Sequence, residues 1–292
     1  MKLKRLVEQH FHGAFGINFN TASVDEIKEL SHKMFEEGFG YIFPTLVTDT
    51  VDNIVKQIEK IERASAGQTS DCAKIEGVHL EGIFLNPDKK GIHDSGLFMA
   101  PTVDNYKLLD HPFIKIVTLA PELCTSENNL ITYLKSKGIK VQAGHCLGGN
   151  LSGCDGVTHM FNAMGGVAHR GKSTALSALI DDKIYTEIIA DGIHVSDDAL
   201  KLLFKVKPAG KILLISDCLP CTKSDCKEFI FAGKKIYYDG EKATSSDGTL
   251  AGSSKLLTDI VRMLLEKNIF NQQYIDNSYE YHGLADIGTF NL

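Results

Sequence analysis

Short apolar runs alternate along the chain with stretches whose apolar positions recur every three or four residues, the pattern of repeated β/α units. Eight runs read as strands: 5–10, 39–45, 74–80, 114–120, 139–144, 156–159, 184–191 and 211–217. Most are rich in Val and Ile without polar alternation, as parallel strands buried on both faces are. Helices fit between several of them. Ser23, with Glu26 three residues on, reads as a capping box ahead of Ile27, Leu30, Met34 and Phe35, and Gly38 closes the stretch. Residues 49–63 and 126–137 behave alike, the second stopped by Gly138, and 253–267 supply a helix after the last strand.

Eight strands with intervening helices predict a closed (β/α)8 barrel, with an open doubly wound sheet as the competing topology. The barrel is favoured by where the reactive side chains fall. His10, Glu81, His145, His159, Asp191 and Asp217 each stand at or just past the C-terminal end of a different strand. A barrel gathers such residues at one mouth, and an open sheet does not. Two irregularities qualify the pattern. The segment after Gly144 is too short and glycine-rich for a normal crossover, so one unit is shortened over 147–155. Residues 229–244 read as a β-hairpin inserted in the last loop of a single domain spanning 1–292.

Composition narrows the class without naming a function. A chain of 292 residues with 43% hydrophobic and 23% charged residues is globular. A net charge of -6 argues against nucleic acid as a partner. Seven cysteines without regular spacing fit a reduced cytoplasmic setting. No stretch has the length of a membrane span or of a signal peptide's apolar core.

The candidate chemistry lies at the strand ends. His10 and His12 project to the same side of an extended chain and can share a metal, although one H-x-H alone is a weak signal. Glu81, His145 and His159 end three further strands, and imidazole with carboxylate suits Zn, Fe(II), Mn or Co. Asp217 follows the most apolar strand, KILLIS. A buried carboxylate needs a partner, and a water on a metal would provide one, so Asp217 is the expected acid–base group. Cys218, Cys221 and Cys226 lack a second ligand pair and read as plain thiols. Gly248-x-x-x-Gly252-Ser253-Ser254 lacks the lysine of a phosphate loop and has no strand leading into it.

Eight segments together carry a family resemblance: GVHLEGIFLNPDKKGIH (77–93), VTLAPE (117–122), AGHC (143–146), THMFNAMGGVAHR (158–170), IIADGIHV (188–195), LLISD (213–217), FIFAGKKIYY (229–238) and DGTLAGSS (247–254). In this order they resemble the N-acetylglucosamine-6-phosphate deacetylases of the amidohydrolase superfamily, over nearly the whole chain. The resemblance implies a divalent metal, one or two per chain. Glu81, His145 and His159 would hold the first, with Glu81 bridging to a second on His10 and His12. It also implies Asp217 as general base and then acid, and His93 polarising the acetamide carbonyl. His194 would contact a sugar hydroxyl, and Asn162, the Ala163 backbone and Arg170 would form the sugar-phosphate pocket. The partner it implies is a small sugar phosphate.

Family members normally add a β-sandwich built from both termini, for which little sequence remains here, so a barrel-only form is expected. Apolar surface left bare by that loss predicts a homo-oligomer. Asp217 is followed by Cys-Leu-Pro where the family usually has a small residue. Another amidohydrolase, acting on a cyclic amide or dipeptide, and a non-catalytic amino-sugar-phosphate-binding barrel remain the alternatives.

Overall fold

A computed structural model describes residues 1–126 and 129–292. Eight parallel strands run in sequential order around the sheet: β1 (Leu6–Phe11), β2 (Phe39–Val47), β3 (Val78–Glu81), β4 (Ile114–Leu119), β5 (Lys140–Ala143), β6 (Gly156–Val157), β7 (Tyr185–Ile189) and β8 (Ile212–Ile215). All residues of β1, β2, β3 and β8 are buried, including the polar Glu8, Gln9, His10, His79 and Glu81, as in parallel strands covered on both faces. The sheet closes at its upper end. Asp217 N donates to His10 O (2.9 Å) and His12 N to Cys218 O (2.8 Å). Below these bonds the Glu8 carboxyl fills the seam, accepting Ser216 N at 3.1 Å and His10 N at 3.2 Å. The ring is a nearly closed barrel, and the open sheet is excluded.

Helices α1 (Val24–Glu36), α2 (Val51–Ala66), α3 (Val103–Lys107) and α4 (Leu130–Ser136) follow the first four strands, α5 (Thr174–Ile180) and α6 (Asp197–Val206) the sixth and seventh, and α7 (Leu257–Glu266) and α8 (Gln273–His282) the eighth. Ser23 and Glu26 form the expected capping box on α1. The helix expected over 126–137 begins at Leu130, capped by Asn129, and part of that range lies outside the described residues. No helix follows β5 among the described residues, as the glycine-rich 147–155 segment implies. Strand 74–80 is divided: Lys74–Ile75 pairs only with β2, while β3 pairs with β2 and β4. Strand 156–159 shrinks to two residues because His159 turns left-handed (φ 29°).

The expected hairpin at 229–244 is larger than foreseen. Four antiparallel strands, β9 (Glu228–Phe231), β10 (Lys234–Tyr238), β11 (Ala243–Ser245) and β12 (Leu250–Gly252), form one sheet against the barrel mouth. Strand β12 lies within the Gly248–Ser254 segment, and β11 ends at Ser245, so no strand runs directly into Gly248. At the opposite end Lys2–Lys4 pairs antiparallel with Thr289–Asn291. No helix among the described residues is long and apolar enough to cross a membrane.

Candidate active site and metal centre

The strand ends deliver their side chains to one point. Glu81 ends β3 beside Val47 of β2, the two being register partners, so both face the barrel interior. Gly82 and Gly144 let the neighbours close in. A Cβ on Gly82 would lie 2.5 Å from Thr48 N, and one on Gly144 would lie 2.6 Å from Thr118 Cγ2. His145, His159 and Asp217, just past β5, β6 and β8, all hold left-handed backbones (φ 48°, 29° and 54°). That conformation costs non-glycine residues energy and gathers at functional sites.

Two groups of donor atoms result, joined by Glu81. His159 Nε2 and His145 Nε2 lie 2.9 and 3.2 Å from Glu81 Oε1, and 3.1 Å from each other. His12 Nε2 lies 3.2 Å from Glu81 Oε2 and 3.0 Å from Asp217 Oδ1, and His10 Nε2 lies 3.4 Å from each of those oxygens. The outer ring nitrogens are committed elsewhere. Nδ1 of His10 donates to Glu187 Oε2 (3.0 Å), that of His12 to Thr45 O (3.3 Å) and that of His145 to Lys89 O (2.8 Å). Each of these three rings therefore turns its Nε2 to the centre, the arrangement outer partners impose on metal-bound histidines.

This donor set fits a divalent metal. His10 Nε2 is buried without a hydrogen bond, and of three donor groups the two at the mouth, His10/His12/Glu81/Asp217 and Glu81/His145/His159, could each hold an ion; in the third, His10/His79/Glu187, both His79 nitrogens are already spent on Gln9 O and Thr118 Oγ1. Electrostatics agree. Burial disfavours the charge on His10, but the Glu81 and Glu187 carboxylates outweigh it and hold the imidazole well above its ordinary range. Burial likewise works against the Asp217 anion, yet His12 and His10 hold its carboxyl below the usual value. So much unlike charge concentrated in one dry place is what a cation would organise.

Of the remaining expected residues, His93, Asn162, Ala163 and His194 line a cavity of about 350 Å³. His93 Nδ1 accepts from Thr48 N (3.4 Å) and faces Thr48 Oγ1 (2.8 Å), which leaves the proton on Nε2, 3.9 Å from Glu81 Oε2. Burial and the neighbouring His145 push His93 well below its ordinary pKa, so it is a neutral N–H donor. His194 Nδ1 donates to Asp191 Oδ2 (2.8 Å), which Ser253 Oγ also meets at 2.9 Å. Burial alone would raise Asp191, but its bonds from His194 and Ile193 hold it at about 2. Asn162 and Ala163 line the cavity, whereas His10 is fully buried outside the lining. Arg170 is exposed on the segment after Ala163 and does not line the cavity; Lys89 does.

Several contributors went unforeseen. Glu187 betrayed itself only as a lone carboxylate in an apolar strand, the signal that pointed to Asp217. Thr48 gave no signal. Phe231, on the inserted sheet, packs edge-on against His12 with ring centroids 5.0 Å apart, and joins Val47 and Ile92 in an apolar wall of the cavity. All seven cysteines are free, and none belongs to a possible metal group among the described residues.

Fold and site together define a barrel of the amidohydrolase type with a mouth that could hold metal. No family model matches the chain. Among curated proteins it is 30% identical over 300 residues to the N-acetylglucosamine-6-phosphate deacetylase of Bacillus subtilis (strain 168), covering 99% of this chain and 76% of that protein. It is 28% identical over 273 residues to the N-acetylgalactosamine-6-phosphate deacetylase of Escherichia coli O157:H7, covering 89% and 71%. The chain therefore belongs to the N-acetylglucosamine-6-phosphate deacetylase family. Solved structures agree on the fold. The deacetylase of Pasteurella multocida matches with a TM-score of 0.86 at 23% identity, covering 100% of this chain and 79% of that one. A mutant of the Mycobacterium smegmatis enzyme, in complex with N-acetyl-D-glucosamine-6-phosphate, matches at 0.86 and 22%, covering 98% and 79%.

Proposed function

We propose that this chain hydrolyses N-acetylglucosamine 6-phosphate to glucosamine 6-phosphate and acetate, using one or two divalent transition metals (Zn, Fe, Mn or Co). The observation that carries the reading is the convergence of His10, His12, His145, His159, Glu81 and Asp217 on one point beside a cavity of sugar-phosphate size. Those six side chains would hold the metal. When bound, it supplies Lewis acidity, lowering the pKa of a coordinated water from about 15.7 toward 7.

The protein's own groups carry the remaining steps. Asp217, held as a carboxylate, takes a proton from the attacking water and returns it to the departing nitrogen. His93 donates its Nε2–H to the acetamide oxygen as negative charge grows there. The Val47, Ile92 and Phe231 wall offers the acetyl methyl an apolar surface. His194, fixed by Asp191, binds a sugar hydroxyl. Asn162 and the Ala163 backbone bind toward the phosphate, with Lys89 as the cation of the wall and Arg170 as the cation outside it. The chain would act as one hydrolase domain in a reducing cytoplasm, where its thiols stay free. Exposed Val167, Ile230 and Tyr237 support association with further copies, which sedimentation at micromolar concentration would reveal.

The test is acetate release from three sugars: N-acetylglucosamine 6-phosphate, its unphosphorylated form, and the C4 epimer matching the substrate in the name of the Escherichia coli relative. Preference for the first supports the reading. No release from any of them by metal-loaded protein rejects it, and preference for the epimer reassigns the substrate.

A further inference from the structure

Glu187 lies in the middle of β7, fully buried in a strand that is otherwise apolar from Thr186 to Ile189 save for one hydroxyl. A buried carboxylate is tolerated only when its oxygens are satisfied. Four donors meet it. Gln9 Nε2 (2.5 Å) and Gln142 Nε2 (2.9 Å) donate to Oε1, while His10 Nδ1 (3.0 Å) and the His159 backbone N–H (3.3 Å) donate to Oε2. One oxygen is thus anchored to the barrel interior. The other grips one residue from each of the two donor groups at the mouth, while the third group, Glu187 with His10 and His79, has both His79 nitrogens committed to hydrogen bonds.

We infer that Glu187 is a positioning residue that fixes the His10 ring as a metal ligand, so that occupancy of the His10/His12 half of the centre depends on it. The inference rests on the two-metal reading above. Because a carboxylate can only accept, His10 must keep a proton on Nδ1, so Nε2, which faces Glu81 and Asp217, is the nitrogen left to a metal that displaces the second proton. His12 and His145 have only backbone carbonyls in the corresponding place, so the charged partner belongs to His10 alone. His79, whose ring centroid is 4.6 Å from that of His10, cannot substitute: its Nδ1 is engaged with Gln9 O (3.0 Å) and its Nε2 with Thr118 Oγ1 (2.8 Å).

Glu187→Gln tests this with little change of volume. The Gln9 and Gln142 donors both need an acceptor, so the new amide oxygen settles at the Oε1 position and its NH₂ faces His10. A donor there drives the His10 proton onto Nε2, where it competes with metal. Cobalt(II) is titrated into the metal-free full chain and followed by its visible absorption. Wild type should bind two equivalents, and the variant should bind one as before and the other about 10- to 100-fold more weakly, the usual effect of losing an outer partner. Glu187→Asp keeps the charge but shortens its reach; it should lose the same site selectively, and covers the case in which the glutamine variant does not fold. The melting temperature of each metal-free protein separates positioning from simple damage. Two unaltered sites in the variants, or equal loss of both alongside a fallen melting temperature, overturns the inference alone. A wild type that binds a single equivalent overturns the two-metal reading and the inference with it.

Discussion

Histidines cluster in two layers, one at the barrel mouth and one beneath it, and the layers differ in what their ring nitrogens still have to give. Below, His79 is bonded through both nitrogens, His282 Nε2 meets Gln9 Oε1 (2.9 Å) while its ring stacks on Phe43, and Thr118 and Thr158 pair at 2.7 Å. Burial holds His79 and His282 down to about 3, so both are neutral structural groups. At the mouth, His10, His12 and His145 each spend Nδ1 on an oxygen and keep Nε2 for a shared centre with Glu81. His79 matches His10 in residue type and in complete burial. Only the uncommitted nitrogen separates ligand from scaffold.

The largest effect expected is at Asp217. Asparagine there is nearly isosteric but cannot take the proton, so Asp217→Asn should lower kcat by about 10²- to 10⁴-fold in metal-replete protein. Near-normal steady-state turnover would move the base elsewhere. The two histidine layers are contrasted directly by metal analysis. His10→Ala with His12→Ala should remove one equivalent and spare the other, whereas His79→Gln should leave metal content unchanged. Its cost should appear instead as about 1–3 kcal/mol of stability in urea, from Gln9 O or Thr118 left unpaired. Metal loss in the His79 variant would erase the distinction between the layers. Next comes phosphate. Lys89→Ala and Arg170→Ala should each reduce kcat/KM for the phosphorylated sugar, by about 10-fold or more if a charged hydrogen bond worth roughly 1.5–3 kcal/mol is lost. A ratio of phosphorylated to unphosphorylated sugar that neither variant changes would clear both of that role.

The last effect is one of pH, at the β1–β8 seam. Burial raises the Glu8 carboxyl from its ordinary 4.5 to about 8, against the opposing bonds from Ser216 and His10. The folded protein then holds a proton that the unfolded chain releases. That contribution is fully present below about 4.5 and is lost as pH rises through about 8, with a slope of roughly 1.4 kcal/mol per pH unit between. In metal-free protein, Glu8→Gln should flatten this dependence in denaturant titrations across that window. An identical slope in the variant would assign the titration to another group.

Much of the site was legible because apolar strands make their rare polar ends conspicuous. His10, Glu81, His145, His159 and Asp217 were visible as strand-end residues, and the barrel followed from their spacing. What stayed hidden depended on contacts across the fold. Thr48 matters only because β2 and β3 close over Gly82 and bring it to His93. Phe231 reaches His12 from a sheet that looked like a two-stranded hairpin, since the short strands at Ala243–Ser245 and Leu250–Gly252 carry little periodicity. Arg170 looked like a pocket residue from its neighbours in sequence, but its chain segment leaves it exposed beyond the cavity lining.

The account stands or falls on whether hydrolysis at this mouth needs the metal its nitrogens are arranged to hold. Acetate release from N-acetylglucosamine 6-phosphate is followed in protein stripped by chelator, then reloaded stepwise with Zn, Fe(II), Mn or Co. Loss of turnover on stripping and its return as metal is restored is the predicted result. Turnover that persists in fully stripped protein, or that no metal restores while the barrel remains folded, would contradict it.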